Sequence, residues 1–194
     1  MGRTITKEEV AKLDTEEFKG QICEVQTLEE VNKAIEYLSK FELVGFDTET
    51  RPAFRKGNTH DVALIQLSTD DVCILFRLNK IDSFPPSLIQ FLSNPKPLKI
   101  GLSLKDDFCS INRKQQFTPA GFIDIQKLVK EHDIDDMSLQ KIYALLFEKK
   151  ISKSQRLSNW EADALTESQK KYAALDAWAC LKIYKKLCLT KKYT

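Results

Sequence analysis

One stretch constrains the fold of this chain more than any other, the run LVGFDTET at residues 43–50. It predicts a buried strand at about residues 41–48, because β-forming side chains fill it and Gly45 is the only turn residue within it. Side chains alternate across a strand, so Asp47 and Glu49 point to the same side. Like charges this close repel unless a cation lies between them, and hard divalent cations prefer carboxylate oxygens. Taken alone, the pair is more typical of the solvated end of a strand.

The composition is that of one folded domain. The chain has 194 residues, of which 42% are hydrophobic and 30% are charged, as in globular proteins. Apolar runs are too short to span a membrane and the N-terminus is polar, so we expect neither a membrane segment nor a secretory signal. The five cysteines are odd in number and form no Cys-x-x-Cys pair. They predict a reducing, cytoplasmic setting without a disulfide-linked partner.

The histidine count and the charge distribution narrow the possible ligands. His60 and His132 are the only histidines, so a metal site here needs mainly oxygen ligands, which favours Mg²⁺ or Mn²⁺. Residues 1–50 carry a net charge of −6, residues 51–100 carry +3 and residues 101–194 carry +5. An acidic N-terminal part followed by a basic remainder of the chain fits a protein that binds a polyanion with one face. A charged surface exposed to solvent explains this distribution equally well.

Helix and strand signals follow one another along the whole chain. Capping boxes at Thr6–Glu9, Thr27–Glu30, Ser103–Asp106 and Thr166–Gln169 predict helix starts. Predicted strands lie at 21–25, 41–48, 62–67, 72–76, 98–101 and 122–125, and predicted helices at 28–39, 86–93, from 103 onwards, 126–131, 138–147 and 167–188. This order predicts an α/β domain at residues 21–190, preceded by an arm or short helix at residues 1–20.

Two further carboxylates stand on helix faces where an acid is unexpected. Asp107 lies on the apolar stripe of its helix, whereas Asp106 lies off it and is explained by the cap, so we favour Asp107 and keep Asp106 as the alternative. Asp176 follows Tyr172 by four residues, on one face of the last helix. Together with Asp47 and Glu49, these acids would be unfavourable in a hydrophobic core, but they suit a site that binds two divalent metal ions.

Four other residues are candidates for contact with a ligand. Lys153 and Arg156 belong to a basic loop at residues 149–156, which either is simply solvated or meets phosphates. Phe54, in the basic loop at residues 51–58, is a candidate for stacking on a terminal base. Trp160 is a candidate for the same role, although packing is the more common use of such a tryptophan.

The carboxylate motifs resemble those of a known family. Phe46-Asp47-Thr48-Glu49, the segment 101–111 with Asp107, and Tyr172-Ala173-Ala174-Leu175-Asp176-Ala177 are similar to the three exonuclease motifs of the DEDDy 3′–5′ exonucleases. That family includes ribonuclease D and the exonuclease domain of the Werner syndrome helicase. The resemblance covers residues 22–188, and the segments 62–67 and 157–160 also match it. Thr50 differs, since Werner-like members carry an aromatic residue there.

The resemblance implies a ribonuclease H-like α/β fold, with a central mixed sheet flanked by helices. It implies a nucleic-acid substrate with a free 3′ end, two Mg²⁺ or Mn²⁺ ions and release of nucleoside 5′-monophosphates. Asp47 is expected to bridge both metals, Glu49 and Asp176 to bind one of them, Asp107 to help hold the other, and Tyr172 to position the attacking water. The chain ends soon after the third motif, without the accessory helical domains of ribonuclease D, so substrate choice does not carry over.

Two other functions fit the same sequence. A nucleic-acid-binding module could keep the fold without catalysis, although all five motif positions are filled here. A phosphodiesterase acting on short oligonucleotides would use the same residues. Neither the polymer, DNA or RNA, nor its strandedness follows from these residues, since no side chain is assignable to reading a 2′-hydroxyl.

Overall fold

A six-stranded mixed sheet forms the centre of the protein. The computed structural model describes residues 2–54 and 59–190, with side chains through residue 188. The elements are, in chain order, α1 (Lys7–Ala11), β1 (Asp14–Thr15), β2 (Gln21–Val25), α2 (Leu28–Leu38), β3 (Leu43–Thr50), β4 (Val62–Ser68), β5 (Val72–Arg77), α3 (Pro86–Leu92), β6 (Leu98–Gly101), α4 (Leu104–Lys114), β7 (Phe122–Asp124), α5 (Ile125–Lys130), α6 (Leu139–Phe147), β8 (Lys149–Lys150) and α7 (Glu167–Thr190).

The sheet has the order β2-β5-β4-β3-β6-β7. Strand β4 is antiparallel to both of its neighbours, β3 and β5, whereas β2, β6 and β7 join by parallel pairing. Strand β3 therefore lies inside the sheet, between the antiparallel β4 and the parallel β6. The predicted α/β fold with a central mixed sheet is confirmed.

Helices cover both faces of the sheet and divide the core in two. Buried side chains of α5, α6 and α7 form one hydrophobic cluster, and those of α2, α3 and α4 form the other. Within β3, Val44 and Phe46 belong to the second cluster. Since side chains alternate along a strand, Gly45, Asp47 and Glu49 face the layer that contains α7.

Helix α7 lies directly against β3 because no side chain separates them at Gly45. A Cβ placed on Gly45 would overlap with the carbonyl oxygen of Ala177. Ala173, Ala174 and Ala177 of α7 are almost fully buried, so small residues line this helix where it meets the sheet. This close approach of the last helix to the sheet sets the position of the residues on that side of α7.

The N-terminal segment packs onto the helices that follow the sheet. Strand β1 pairs with β8 in a separate two-stranded parallel sheet. The buried Glu16 accepts hydrogen bonds from Tyr143 at 2.7 Å, Lys149 at 3.1 Å and Lys182 at 3.2 Å. These donors hold the pKa of Glu16 at about 2, against the opposing effect of its burial. The segment predicted as an arm or short helix thus contains the short helix α1, and it contributes Phe18 to the core.

Most predicted elements are present, with small shifts at their ends. The carboxylate strand runs from Leu43 to Thr50 rather than ending at 48, so Glu49 lies within it. The strand predicted at 122–125 ends at Asp124, because α5 begins at Ile125. Of the loop predicted at residues 51–58, the part from 55 to 58 lies outside the described residues.

The capping box predicted at Ser103 is wrong. Ser103 has φ 61°, in the left-handed region, and its side chain makes no capping hydrogen bond. The carboxylate of Asp124 instead accepts the N–H groups of Ser103 and Leu104, at 3.1 and 3.2 Å, and that of Gln126 at 2.9 Å. One acid therefore caps both α4 and α5. The other three capping boxes form.

Among residues 2–54 and 59–190, no helix combines the length and the apolar character that crossing a membrane requires.

Substitution of Gly45 tests the contact between α7 and β3. Gly45→Ala places a methyl group into the Ala177 carbonyl, so we expect a loss of about 1–3 kcal/mol in the free energy of unfolding, or more. Gly2→Ala is the matched control, because its methyl group meets only the flexible Asp135 carboxylate, and we expect a change within about 0.5 kcal/mol. Urea denaturation measures both. Equal stability of the two variants would contradict the account.

Candidate active site

Asp47 and Glu49 lie near the C-terminal end of β3, and their side chains project towards α7. Asp47 lies opposite Gln66 and Glu49 opposite Leu64 on β4, with a register shift between Glu49 and Thr50. Both carboxylates are half-buried. Strand geometry thus fixes both acids on one face, as the sequence predicts.

Helix α7 adds Asp176 and Tyr172 to the same place. Asp176 immediately precedes Ala177, the residue that contacts Gly45, so the helix contact sets Asp176 beside Asp47. One carboxylate oxygen from each of Asp47, Glu49 and Asp176 lies within 4.8 Å of the other two. The hydroxyl of Tyr172, one turn earlier, hydrogen bonds to the Asp176 carboxylate.

Asp107 reaches the site from the opposite layer. Thr48 points away from Asp47 and Glu49, towards the α4 side of the sheet, and its hydroxyl donates a hydrogen bond to the Asp107 carboxylate. The charge of Asp107 is close enough to raise the pKa of Asp47 and of Glu49. Asp106 is exposed, so of the two alternatives the structure brings Asp107 to the site.

Burial disfavours the ionisation of all four carboxyl groups. Desolvation is the main cause of the raised pKa at each of them, and the neighbouring carboxylates add to it for Asp47 and Glu49. The pKa of Glu49 rises to about 9, that of Asp176 to about 7 and that of Asp107 to about 6. Hydrogen bonds from Tyr172 to Asp176 and from Thr48 to Asp107 act in the opposite direction.

This cluster has the donor set of a site for hard divalent cations. Within the described chain, the buried Oδ1 of Asp176 has no hydrogen-bond partner, and neither does the buried amide of Gln66. Gln66 faces the same side as Asp47, because directly opposed residues of antiparallel strands share a face. Buried polar atoms without partners are rare, and converging carboxylate oxygens with a free lone pair are what Mg²⁺ and Mn²⁺ bind. The residues present therefore fit a metal site.

A pocket of about 330 Å³ opens beside Asp176. Tyr172, Lys153 and Arg156 line it together with the first turn of α6. The charge of Lys153 lowers the pKa of Asp176, and that of Arg156 lowers the pKa of Glu49. The structure thus places both predicted basic residues at the carboxylate cluster.

The two predicted aromatic contacts differ in accessibility. Phe54 is 81% exposed and stays available for a ligand. Trp160 is fully buried, so of its two predicted roles the structure supports packing, and its candidacy for stacking on a base is wrong. The centre of its ring lies 6.0 Å from that of Tyr172, so the two rings pack against each other.

Sequence reasoning missed the residues that hold the surrounding loops. Glu161 contacts Arg51 at 3.2 Å and His60 at 3.3 Å, which ties the segment after β3 to the segment before α7. Thr48 was overlooked as the partner of Asp107, although it stands between the two motif carboxylates. A polar residue at an otherwise buried strand position was the available signal for Thr48, whereas none marked Glu161.

The raised pKa values predict that the metal-free protein loses stability as the pH rises. An acid with a higher pKa in the folded chain binds more protons when folded, so the free energy of unfolding falls with pH. The fall starts near the ordinary pKa values of 3.8 and 4.5 and extends to about 9 for Glu49. Burial lowers the pKa of Lys99 to about 8, which acts in the opposite sense above that pH. The clean window is therefore about pH 5–8.

Thermal unfolding in EDTA measures this effect. We expect the melting temperature to fall by at least about 5 °C from pH 5 to pH 8, and saturating Mg²⁺ or Mn²⁺ to remove most of the fall. The isosteric double variant Asp47→Asn/Glu49→Gln is expected to show a flatter pH dependence and no gain from metal. A melting temperature of the unmodified protein that is constant across this window would contradict the assignment.

Comparison with solved structures identifies the fold. The exonuclease domain of Nibbler from Aedes aegypti superposes with a TM-score of 0.81 at 21% identity, covering 98% of this chain and 93% of that one. Escherichia coli RNase D, an exoribonuclease involved in structured RNA processing, gives a TM-score of 0.77 at 23% identity over 90% of this chain and 46% of that one. The fold is the ribonuclease H-like fold of these domains.

Comparison with curated sequences identifies the family. The mouse bifunctional 3′-5′ exonuclease/ATP-dependent helicase WRN is 34% identical over 155 residues, which are 77% of this chain and 11% of that protein. The exonuclease 3′-5′ domain-containing protein 2 of Drosophila melanogaster is 30% identical over 81% of this chain and 27% of its own length. This chain thus spans well under half of either relative. The family model described as 3′-5′ exonuclease matches residues 22–190, and the chain belongs to that family of 3′–5′ exonuclease domains.

Proposed function

We propose that this protein is a metal-dependent 3′–5′ exonuclease, which hydrolyses the terminal phosphodiester bond of a DNA or RNA strand and releases nucleoside 5′-monophosphates. The observation that carries the proposal is the convergence of Asp47, Glu49 and Asp176 beside Tyr172, in a chain of the 3′–5′ exonuclease family. Asp107 approaches the same cluster from the opposite layer. Among the described residues, these acids have no basic partner that neutralises them directly by a salt bridge.

The exonuclease family is dependent on divalent metal ions. We propose two ions, Mg²⁺ or Mn²⁺, held by Asp47, Glu49 and Asp176, with Asp107 on the side of α4. When bound, they supply positive charge that stabilises the attacking and the leaving oxygen of an in-line displacement. The protein contributes the fixed spacing of the carboxylates, which the strand and the two helices impose.

Tyr172 is proposed to position the attacking water rather than to deprotonate it. Burial, followed by the charges of Asp176 and Glu49, raises the pKa of its hydroxyl. Tyr172 therefore stays protonated at neutral pH and acts as a hydrogen-bond donor. Its ring is held from behind by Trp160.

Three further residues are proposed to contact the substrate. Lys153 and Arg156 are exposed and close to the carboxylates, so they can bind oxygens of the scissile phosphate that face the pocket. Phe54 is proposed to stack on the terminal base, since its ring is exposed in the segment that follows β3. A cytoplasmic setting remains a proposal that rests on the thiols, none of which is disulfide-bonded.

A labelled-substrate assay tests the proposed reaction. Single- and double-stranded DNA and RNA carrying a 5′ label are incubated in Mg²⁺, in Mn²⁺ or in EDTA. We expect products that shorten stepwise from the 3′ end, and none in EDTA or with Asp47→Asn/Glu49→Gln. Intact substrates in every metal, with binding retained, would favour the binding module. Turnover confined to substrates of about two to five nucleotides would favour the short-oligonucleotide phosphodiesterase.

Tyr172→Phe tests the positioning role separately. We expect kcat to fall about 10²-fold while KM stays within about threefold, because the fold and the phosphate contacts are retained. Tyr37→Phe is the matched control. Tyr37 belongs to α2, which covers the opposite face of the sheet, and its ring packs against that of Phe41. An unchanged kcat for Tyr172→Phe would remove the tyrosine from the mechanism.

A further inference from the structure

A second pocket, of about 550 Å³, lies between α1 and the start of α6. It is lined by four lysines, two polar residues and two small apolar residues: Lys7, Lys141, Lys150, Lys153, Ser138, Gln140, Val10 and Ala11. Neither an acidic nor an aromatic side chain belongs to this lining within the described part of the chain. We call it the lysine pocket.

The lysine pocket adjoins the pocket beside the carboxylates. Ser138, Gln140 and Lys153 line both of them. The first turn of α6 and the basic loop thus border both pockets, with Asp176 in one and Lys7 in the other. A ligand longer than one pocket can reach the second pocket by passing over these shared residues.

Most of the positive charge in the lysine pocket is not neutralised by the protein. Lys141 pairs with Asp136 at 2.7 Å. By contrast, Lys7, Lys150 and Lys153 make no salt bridge to any described residue, and Lys150 donates only to the backbone carbonyl of Ala11, at 2.7 Å. Three cations at one concave surface repel one another, so an anionic ligand is the partner that this surface favours.

The start of α6 adds a further attraction for anions. Ser138 occupies the N-cap position, but its hydroxyl makes no capping hydrogen bond. Backbone N–H groups in the first turn of a helix lack intrahelical partners, and the helix dipole makes that end positive. A phosphate placed beside Ser138 and Lys153 would meet both kinds of donor.

Several contacts fix the N-terminal segment so that Lys7 stays in place. The N–H of Ile5 donates to Asp136 at 2.8 Å, and that of Gly2 donates to Asp135 at 3.0 Å. The β1–β8 pairing places Thr15 beside Lys150. The pocket is therefore built jointly by residues that precede the sheet and by residues of α6 and β8.

We infer that the lysine pocket is a binding site for the sugar–phosphate backbone of the substrate strand, on the 5′ side of the bond that is cleaved. The placement on the 5′ side of the cleaved bond rests on the proposed function, because it requires the 3′ end of the strand to lie at Asp176. A terminal nucleotide needs one pocket only, whereas the rest of the strand must continue away from the site across a surface. Lysine donors without an aromatic platform recognise phosphate and not the base, so this contact is independent of sequence.

Binding to a single strand of about twelve nucleotides tests the site without turnover. Fluorescence anisotropy in EDTA compares Lys7→Gln/Lys150→Gln with its parent, both in the inactive Asp47→Asn/Glu49→Gln background. We expect affinity to fall roughly threefold to tenfold, and the slope of log K against log salt to shrink by about 0.7 for each lost phosphate contact. The single variant Lys7→Gln, whose side chain has no hydrogen bond to a described residue, is expected to show part of the same effect.

Lys33→Gln/Lys40→Gln is the matched control. It likewise removes two positive charges, one from α2 and one from the turn that follows it, on the opposite face of the sheet, where each lysine pairs only with a glutamate of α2. We expect the affinity of this control to match that of the parent. Equal weakening by both pairs, or no weakening by either, would overturn the inference.

Substrate length separates this inference from the proposed function. In the active protein, Lys7→Gln/Lys150→Gln is expected to lower kcat/KM for the long strand and to leave it unchanged for a dinucleotide, which does not reach the lysine pocket. If the protein cleaves no substrate, the proposed function fails while the anisotropy still decides on the site. If the variant cleaves the long strand and the dinucleotide as well as the unmodified protein does, the inference fails and the proposed function stands.

Discussion

The direct contact between α7 and β3 determines where the functional groups of this protein lie. Because Gly45 has no side chain, the backbone of α7 at Ala177 reaches the strand itself. That approach brings Asp176 within 4.8 Å of the strand carboxylates, oxygen to oxygen. A wider helix–sheet spacing of the usual kind, with a side chain between them, would separate the acids of the two elements. The convergence of the acids is thus a consequence of packing at one glycine, two residues before Asp47.

The convergence of acids has an energetic cost that the rest of the fold must offset. Burial and mutual repulsion raise the pKa of Asp47 and of Glu49, so the folded chain without metal carries an unfavourable electrostatic arrangement. The two hydrophobic clusters on either side of β3 supply the stability that tolerates it. On the proposed function the site is preorganised: the carboxylates stand together before any cation arrives, and binding of a cation would relieve their repulsion.

Local patterns in the sequence predicted much of this arrangement, whereas contacts between distant segments stayed out of reach. The two-residue spacing of Asp47 and Glu49 and the four-residue spacing of Tyr172 and Asp176 each follow from one element's geometry. The partner of Asp107 comes from a different element, 59 positions away in the chain, and no spacing rule finds it. The cap of α4 illustrates the same limit, since the local pattern at Ser103 suggested one partner and the tertiary fold supplies Asp124. The full burial of Trp160 is a further example, because it depends on how the whole core packs and not on a local pattern.

The central claim is that these acids are held together to bind divalent cations, and anomalous diffraction from crystals soaked in Mn²⁺ tests it most directly. We expect strong anomalous peaks in contact with Asp47, one of them also touching Glu49 and Asp176, and loss of these peaks in Asp47→Asn/Glu49→Gln. Ordered carboxylates without Mn²⁺ between them, in crystals that bind the ion elsewhere, would contradict the account. The cluster would then need an explanation other than metal binding.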